Sequence, residues 1–283
     1  MFSIIVFFLA QISIILPRRF HLNLLMRLRF KRDDQVINRL LVEYTLTNSL
    51  SKYSYIVDKL SFKKIMNEIQ VPCVEVIQED LSFRERSHLF LVQPKDICVK
   101  WNHDSGTTCL LTADMDMFRR VKLFINFERR GLFDYSRRFR ENQYSSIKKR
   151  AFTEELKLAE SVVEFKWHVF SEIEILMIVL KNEDGLFKDF YFDDTRIDLM
   201  WGDGVRSDLS QLLPSQNTTK IKDDIQSHLE IDEPYYRIDV IQFNDNSYAS
   251  EITFNQGGNF DLMFWYRYNE LEDRIKQIIR TRV

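Results

Sequence analysis

The chain has 283 residues, 45% of them hydrophobic and 29% charged, with a net charge of −2. That composition excludes a disordered or low-complexity chain, and the near-balanced charge argues against a general nucleic-acid-binding surface while leaving room for local basic patches. The 23 Phe, 11 Tyr and 4 Trp supply an aromatic-rich interior, enough for one large domain or two intimate subdomains, and the odd, widely spaced Cys73, Cys98 and Cys109 fit a reducing compartment and packing roles better than a zinc site.

The chain opens on an apolar run, Met1 to Leu16, interrupted only by Ser3, Gln11 and Ser13 and stopped by Pro17-Arg18-Arg19. Crossing a bilayer upright takes about 20 apolar residues, and the positive start and small-residue cleavage site of a secretory signal are absent. Leu22, Leu24, Leu25, Leu28 and Phe30 interleave with Arg27, Arg29, Lys31 and Arg32, the pattern of an amphipathic helix on an anionic membrane surface. On this reading residues 1–32 attach a cytoplasmic protein to the inner face of the membrane. A buried helix, or residues added by an upstream start codon, fits the same run.

Next, Tyr53 to Ile69 carries Ile56, Leu60, Ile65, Met66 and Ile69 on a helical stripe that ends before Val71-Pro72. Val74 to Ile77 and Ile97 to Lys100 read as short strands, and Met115 to Arg130 reads as a helix stopped by Gly131. Lys100, at a strand end, is followed by Trp101-Asn102-His103-Asp104-Ser105-Gly106-Thr107-Thr108. Such a turn can cradle phosphate through ammonium, backbone N–H and hydroxyl donors, although its specificity alone is weak. His103 reads first as a hydrogen-bonded structural histidine.

A basic, turn-rich segment from Arg137 to Arg150 fits a solvated surface or an anion site. From Ala151 strands dominate: Phe152 to Leu156, Glu164 to Phe170, Glu174 to Leu180 and Lys188 to Phe192. A helix is predicted over Thr219 to Leu229, and another near Leu271 to Ile279.

Between those helices lies the most informative stretch. Tyr236-Arg237-Ile238-Asp239-Val240 and Ser250-Glu251-Ile252-Thr253-Phe254 both alternate with period two around the polar run Asn244-Asp245-Asn246, which predicts a β-hairpin. A three-residue loop there sets Asp239 opposite Glu251 and Arg237 opposite Thr253 on one face. Facing carboxylates call for a compensating cation, and Mg²⁺ suits such oxygens and brings phosphate with it. A half-exposed hairpin with a solvated polar face fits the same spacing.

These pieces together resemble the TupA-like ATP-grasp family of surface-polysaccharide loci. The resemblance runs from Leu16-Pro17 and Leu25-Met26-Arg27-Leu28-Arg29-Phe30 through Val57-Asp58-Lys59 and Lys100 to Gly106, then through Arg140-Glu141, Thr153-Glu154-Glu155-Leu156, Glu164-Phe165-Lys166 and Asp189-Phe190-Tyr191 to the two hairpin motifs. It implies an α+β ATP-grasp fold: an N-terminal hydrophobic and basic segment over 1–50, a first subdomain over 51–150 with the phosphate loop, and a second over 151–283. ATP and Mg²⁺ are the implied cofactors. Asp239, Glu251 and Thr253 match the metal end, Thr253 standing where many superfamily members carry a metal-ligating Asn, and Arg237 matches an arginine that steadies phosphate. Lys100 and Lys166 match phosphate-facing lysines, with Ser105, Gly106 and Thr107 in the loop. The backbone of Glu154, Glu155, Leu156 and Lys157 matches the adenine-reading strand, and Glu164 is a candidate for the ribose hydroxyls. His103, Asp104, Arg140, Lys188, Gly257 and Gly258 remain for the substrate end. The activity implied is an ATP-dependent carboxylate-amine ligase joining an amine or amino acid to a carboxylated sugar or polymer; a sugar kinase and a non-catalytic scaffold at the membrane are the alternatives.

Overall fold

A computed structural model describes residues 37, 40–41, 43–44, 48, 50–92, 96–103, 108–132, 144, 146–157, 159–197, 205–254 and 269–282. The predicted N-terminal amphipathic segment lies outside them, and among the described residues no helix is long and apolar enough to cross a membrane. The described chain is α+β.

The stripe read over Tyr53 to Ile69 forms two helices, α1 (Ser54–Val57) and α2 (Lys59–Glu68), because Asp58 breaks it. Asp58 takes an extended ψ of 112°, and its carboxylate accepts from the N–H groups of Leu60 and Ser61 as the N-cap of α2. Lys59 is thereby fixed at the mouth of α2.

A small antiparallel sheet is built from β1 (Val76–Gln78), β2 (Ile97–Trp101), β3 (Thr108–Leu111) and β4 (Ala151–Glu155), in the order β1-β4-β2-β3. Between β1 and β2, α3 (Phe83–Ser87) starts on a Ser82/Glu85 capping box. Ile97, Val99, Trp101 and Ala151 pack one face of the sheet onto Phe90 and onto Phe127 of α4 (Met117–Leu132). Strand alternation sends Lys100 and Glu154 to the other face. Gly131, expected to stop the helix, does not: α4 continues to Leu132. The glycine lies under the Trp101 indole, which stacks on Phe127 at 5.1 Å between centroids and donates from Nε1 to the Phe127 carbonyl at 3.0 Å. Its role is close approach.

The larger sheet holds β5 (Val162–Phe170), β6 (Ile173–Asn182), β7 (Gly185–Phe192), β8 (Thr195–Arg196), β9 (Val205–Arg206), β10 (Tyr236–Phe243) and β11 (Asn246–Thr253). Its order is β11-β10-β5-β6-β7-β8, with β9 parallel to β7. On one face Phe165, Trp167, Ile238, Val240 and Ile252 form a core with Ile56 of α1, Met66 of α2, and Ile221 and Ile225 of α5 (Gln216–Leu229). On the other, Ile175, Met177 and Val179 pack with Leu271, Ile275 and Ile279 in the predicted C-terminal helix, α6 (Asn269–Arg280).

The hairpin departs from its predicted turn, yet its predicted pairs stand. The loop has two residues, Asn244 and Asp245, with Phe243 opposite Asn246 and Asn244 at φ 52°. A bulge between Asp239 and Val240 then shifts the register by one, so Asp239 does face Glu251 and Arg237 does face Thr253. The two departures cancel.

A Cβ on Gly131 would overlap the Trp101 ring, whose position is held by stacking and a buried hydrogen bond. Gly131→Ala is therefore expected to destabilise the small sheet by about 1–3 kcal/mol, the usual cost of overpacking. Denaturant unfolding checks this, and a wild-type midpoint would refute the close-approach role.

Candidate functional site

Strand pairing lays charged side chains in rows across β5, β10 and β11. Lys166, Asp239 and Glu251 stand opposite one another in one row; His168, Arg237 and Thr253 form the next. Arg237 is 4% exposed and Asp239 is 3% exposed, so neither charge can be left to solvent. The guanidinium grips Asp239 with both forks, Nε to Oδ1 at 2.5 Å and Nη2 to Oδ2 at 2.7 Å, and Nη2 also reaches Glu251 Oε1 at 3.1 Å. Lys166 Nζ lies 2.5 Å from Asp239 Oδ2 and 2.8 Å from Glu164 Oε2, while Lys181 also pairs with Glu164. Lys59 Nζ approaches Glu251 Oε2 at 3.4 Å. The facing carboxylates thus meet three cations of the chain itself.

Titration follows from those contacts. Burial pushes the Asp239 carboxyl up, but Arg237 and Lys166 outweigh it and hold the group below its ordinary range. Burial likewise raises Glu164, and Lys166 and Lys181 overcome it, bringing the carboxyl down to about 2. Burial opposes the charge on Lys166, yet Asp239 and Glu164 keep it ionised. His168 sits well below the usual imidazole range, first through burial and then through Arg237 and Lys166, and its Nδ1 lies 3.1 Å from the Tyr235 hydroxyl. It adds no positive charge to the row.

The small sheet contributes a second charged cluster. Lys100 Nζ lies 2.5 Å from Glu154 Oε2, and Lys63 Nζ lies 3.0 Å from Oε1 of the same buried carboxylate. Burial opposes ionisation of Lys100; Glu154 is the main group that reverses this, and Glu251 on the hairpin adds to it. A polar joint stands beside this cluster, where Asn102 Nδ2 donates to Asp58 Oδ2 at 2.9 Å and Arg150 Nη2 reaches the same oxygen at 3.1 Å.

Asp239, Glu251 and Thr253 offer the hard oxygens that suit Mg²⁺, and Glu251 keeps one oxygen only loosely engaged by Lys59. Among the described residues no group of three or more His, Cys, Asp or Glu side chains gathers to hold a metal. The pair fits a divalent ion only if phosphate or water completes its shell.

Several predicted residues stand apart from this cluster. Lys188 on β7 shares the transverse row of Glu164 through Val179, two strands away, or about 10 Å at ordinary strand spacing. His103 is buried edge-on to Trp101 at 5.8 Å. Glu155 pairs with Lys157 at 2.6 Å, and its N–H donates to the Glu75 carbonyl. Leu156 follows β4 directly. Asp104, Ser105, Gly106, Thr107, Arg140, Gly257 and Gly258 lie outside the described residues. Sequence reasoning missed Lys59, Lys63 and Arg150 as members of the cluster. Val57-Asp58-Lys59 and Asn102 were visible as motifs, but their contact spans 44 positions and has no periodic signature.

A family model described as TupA-like ATPgrasp matches residues 36–276. Among solved structures, the D-alanine–D-alanine ligase from Helicobacter pylori aligns at 10% identity and TM-score 0.45, over 81% of this chain and 61% of that one. The D-alanine–D-alanine ligase from Bacillus anthracis complexed with ATP aligns at 16% and 0.42 (80% and 68%), and the L-amino acid ligase from Bacillus licheniformis at 14% and 0.39 (75% and 45%). The chain thus spans less than two thirds of the H. pylori ligase. No curated protein matches the sequence.

The depressed Asp239 and Glu164 carboxyls set a pH dependence. An unfolded Glu titrates near 4.3, so the stability these groups supply is full above about pH 5 and is lost as pH falls towards the folded value near 2. Melting temperatures recorded from pH 6 down to pH 2.5 are expected to fall through this window, with a shallower fall in Glu164→Gln. Parallel curves for the two proteins would contradict the ion-pair assignment.

Proposed function

The chain belongs to the TupA-like ATP-grasp family, and from that premise we propose that it is an ATP- and Mg²⁺-dependent carboxylate-amine ligase. One observation supports this most: Lys166, Asp239 and Glu251 lie in register across three adjacent strands, clamped by Arg237, with Lys59 at Glu251 and Lys100 in the field of the same carboxylate. In this reading ATP lies between the small and large sheets. Mg²⁺, which Asp239 and Glu251 would hold, would supply neutralisation of the triphosphate charge; the γ-phosphoryl group would pass from ATP to a substrate carboxylate with release of ADP, and amine attack on the resulting acyl phosphate would form the amide and release phosphate.

The chain's own groups do the positioning. Lys59, Lys100 and Lys166 supply fixed positive charge for phosphate oxygens, and Arg237 holds Asp239 in one orientation while steadying the transferred phosphoryl group. Asp239 and Glu251 hold the metal, with Thr253 beside them. Within the Glu154–Lys157 segment, adenine is read by the backbone at Leu156 and Lys157, since Glu154 and Glu155 engage their backbone groups with β1, β2 and Glu75, and Glu164 faces the ribose. No side-chain nucleophile is needed, since the acyl donor is a substrate carboxylate. The acceptor side is a carboxylated sugar or polymer with an amine or amino acid, as in surface-polysaccharide assembly. Residues 1–32 attach the protein to the cytoplasmic face of the membrane.

Asp239→Asn and Glu251→Gln preserve shape and remove charge, so each is expected to lower Mg²⁺-dependent ATP turnover by at least about 100-fold while the protein stays folded. Mass spectrometry of uronic-acid sugars incubated with amines, ATP and Mg²⁺ is expected to show an amide with phosphate released free. Phosphate retained on the acceptor would identify a kinase instead, and near-normal turnover in both variants would refute the site. Removal of residues 1–32 is expected to shift the protein from membrane to soluble fractions with ATP turnover retained; unchanged fractionation would refute the anchor.

A further inference from the structure

Asn102 is fully buried, and every polar group it carries is hydrogen-bonded. Its backbone N–H donates to the Arg150 carbonyl at 3.0 Å, and its own carbonyl accepts from Lys59 N at 3.2 Å. Its Oδ1 accepts from Arg150 N at 2.8 Å, and its Nδ2 donates to both Asp58 Oδ2 at 2.9 Å and the Lys148 carbonyl at 3.0 Å. Only an amide in this orientation matches one N–H donor on one side and a carboxylate and a carbonyl on the other. Aspartate has no donor for that second side, and serine is too short to reach both.

The partners of its side chain lead into two different elements. Asp58 caps α2, whose first residue is Lys59. Lys148 and Arg150 lead into β4, which carries Glu154, the carboxylate that holds Lys100. Asn102 itself follows β2, two positions beyond Lys100. A single side chain therefore ties together the elements that carry Lys59, Lys100 and the acid fixing Lys100. Resting on the reading that these lysines take the triphosphate, we infer that Asn102 is a positioning residue that sets the spacing between Lys59 and Lys100. It touches no nucleotide itself. Its effect falls on phosphate, since its bonds reach the start of β4 at Arg150 whereas the segment assigned to adenine lies at the far end of that strand.

Calorimetric titration with ATP and with AMP, both in the presence of Mg²⁺, separates positioning from general stability. Asn102→Asp sets a second carboxylate against Asp58 and is expected to weaken ATP by at least about 10-fold, because displacements near 1 Å cost that much or more, while AMP changes by less than about threefold. Asn is itself a good N-cap, so in Asp58→Asn/Asn102→Asp the capping survives and a donor again faces an acceptor. That double variant is expected to recover part of the loss. Asn102→Ser provides the same ATP-to-AMP comparison if Asn102→Asp does not fold. Folded single variants with an unchanged ATP-to-AMP ratio, or a double variant no better than Asn102→Asp, would overturn the inference and leave the ligase reading intact. Absence of ATP binding by the wild-type protein would sink the ligase reading and this inference with it.

Discussion

The bidentate grip of Arg237 on Asp239 is the constraint around which the large sheet is arranged. Both groups are almost fully buried, and a desolvated charge without its counterpart costs several kcal/mol, so each must be delivered to the other wherever the chain folds. Two positions apart on one strand, they share a face, and the fork geometry of the guanidinium fixes the carboxylate plane. Glu251 and Lys166 complete the arrangement from the two neighbouring strands, which turns a local pair into a test of strand register. A slip by one residue would send all of these charges into the apolar core on the opposite face.

Charge links α2 and the small sheet to that cluster. Lys59, at the start of α2, contacts Glu251, while Glu154 on β4 pairs with both Lys100 and Lys63. The Lys100 ammonium remains ionised in spite of burial because Glu154 lies against it on the same face of the sheet. Under the proposed function, charges fixed in this way would stabilise transferred negative charge without rearranging at the moment of reaction.

Much of this was legible from alternation and turn chemistry. The hairpin, its two decisive pairs, the charged face of β5 and the C-terminal helix all follow from period-two or helical patterns, and the TupA-like ATP-grasp resemblance is the family that matches. What escaped was tertiary. The stripe over residues 53–69 reads as one helix because hydrophobic spacing is blind to a carboxylate that prefers to cap, as Asp58 does. Gly131 reads as a stop because only packing reveals the Trp101 ring above it. The turn length came out one residue too long and a bulge went unseen; neither has a strong local signature, and only their sum governs which side chains face each other.

That bulge has a further consequence at the rim of the sheet. β11 is an edge strand, with outward N–H and C=O groups that could template pairing with another molecule. Beside the irregularity, the Ala249 N–H donates instead to the Pro72 carbonyl at 2.8 Å, and Cys73 forms a parallel bridge to the same residue. The chain closes its own border here with the short segment that leaves α2. The edge is covered at Ala249 in the very strand that carries Glu251, so the segment after α2 caps part of the sheet as well as connecting.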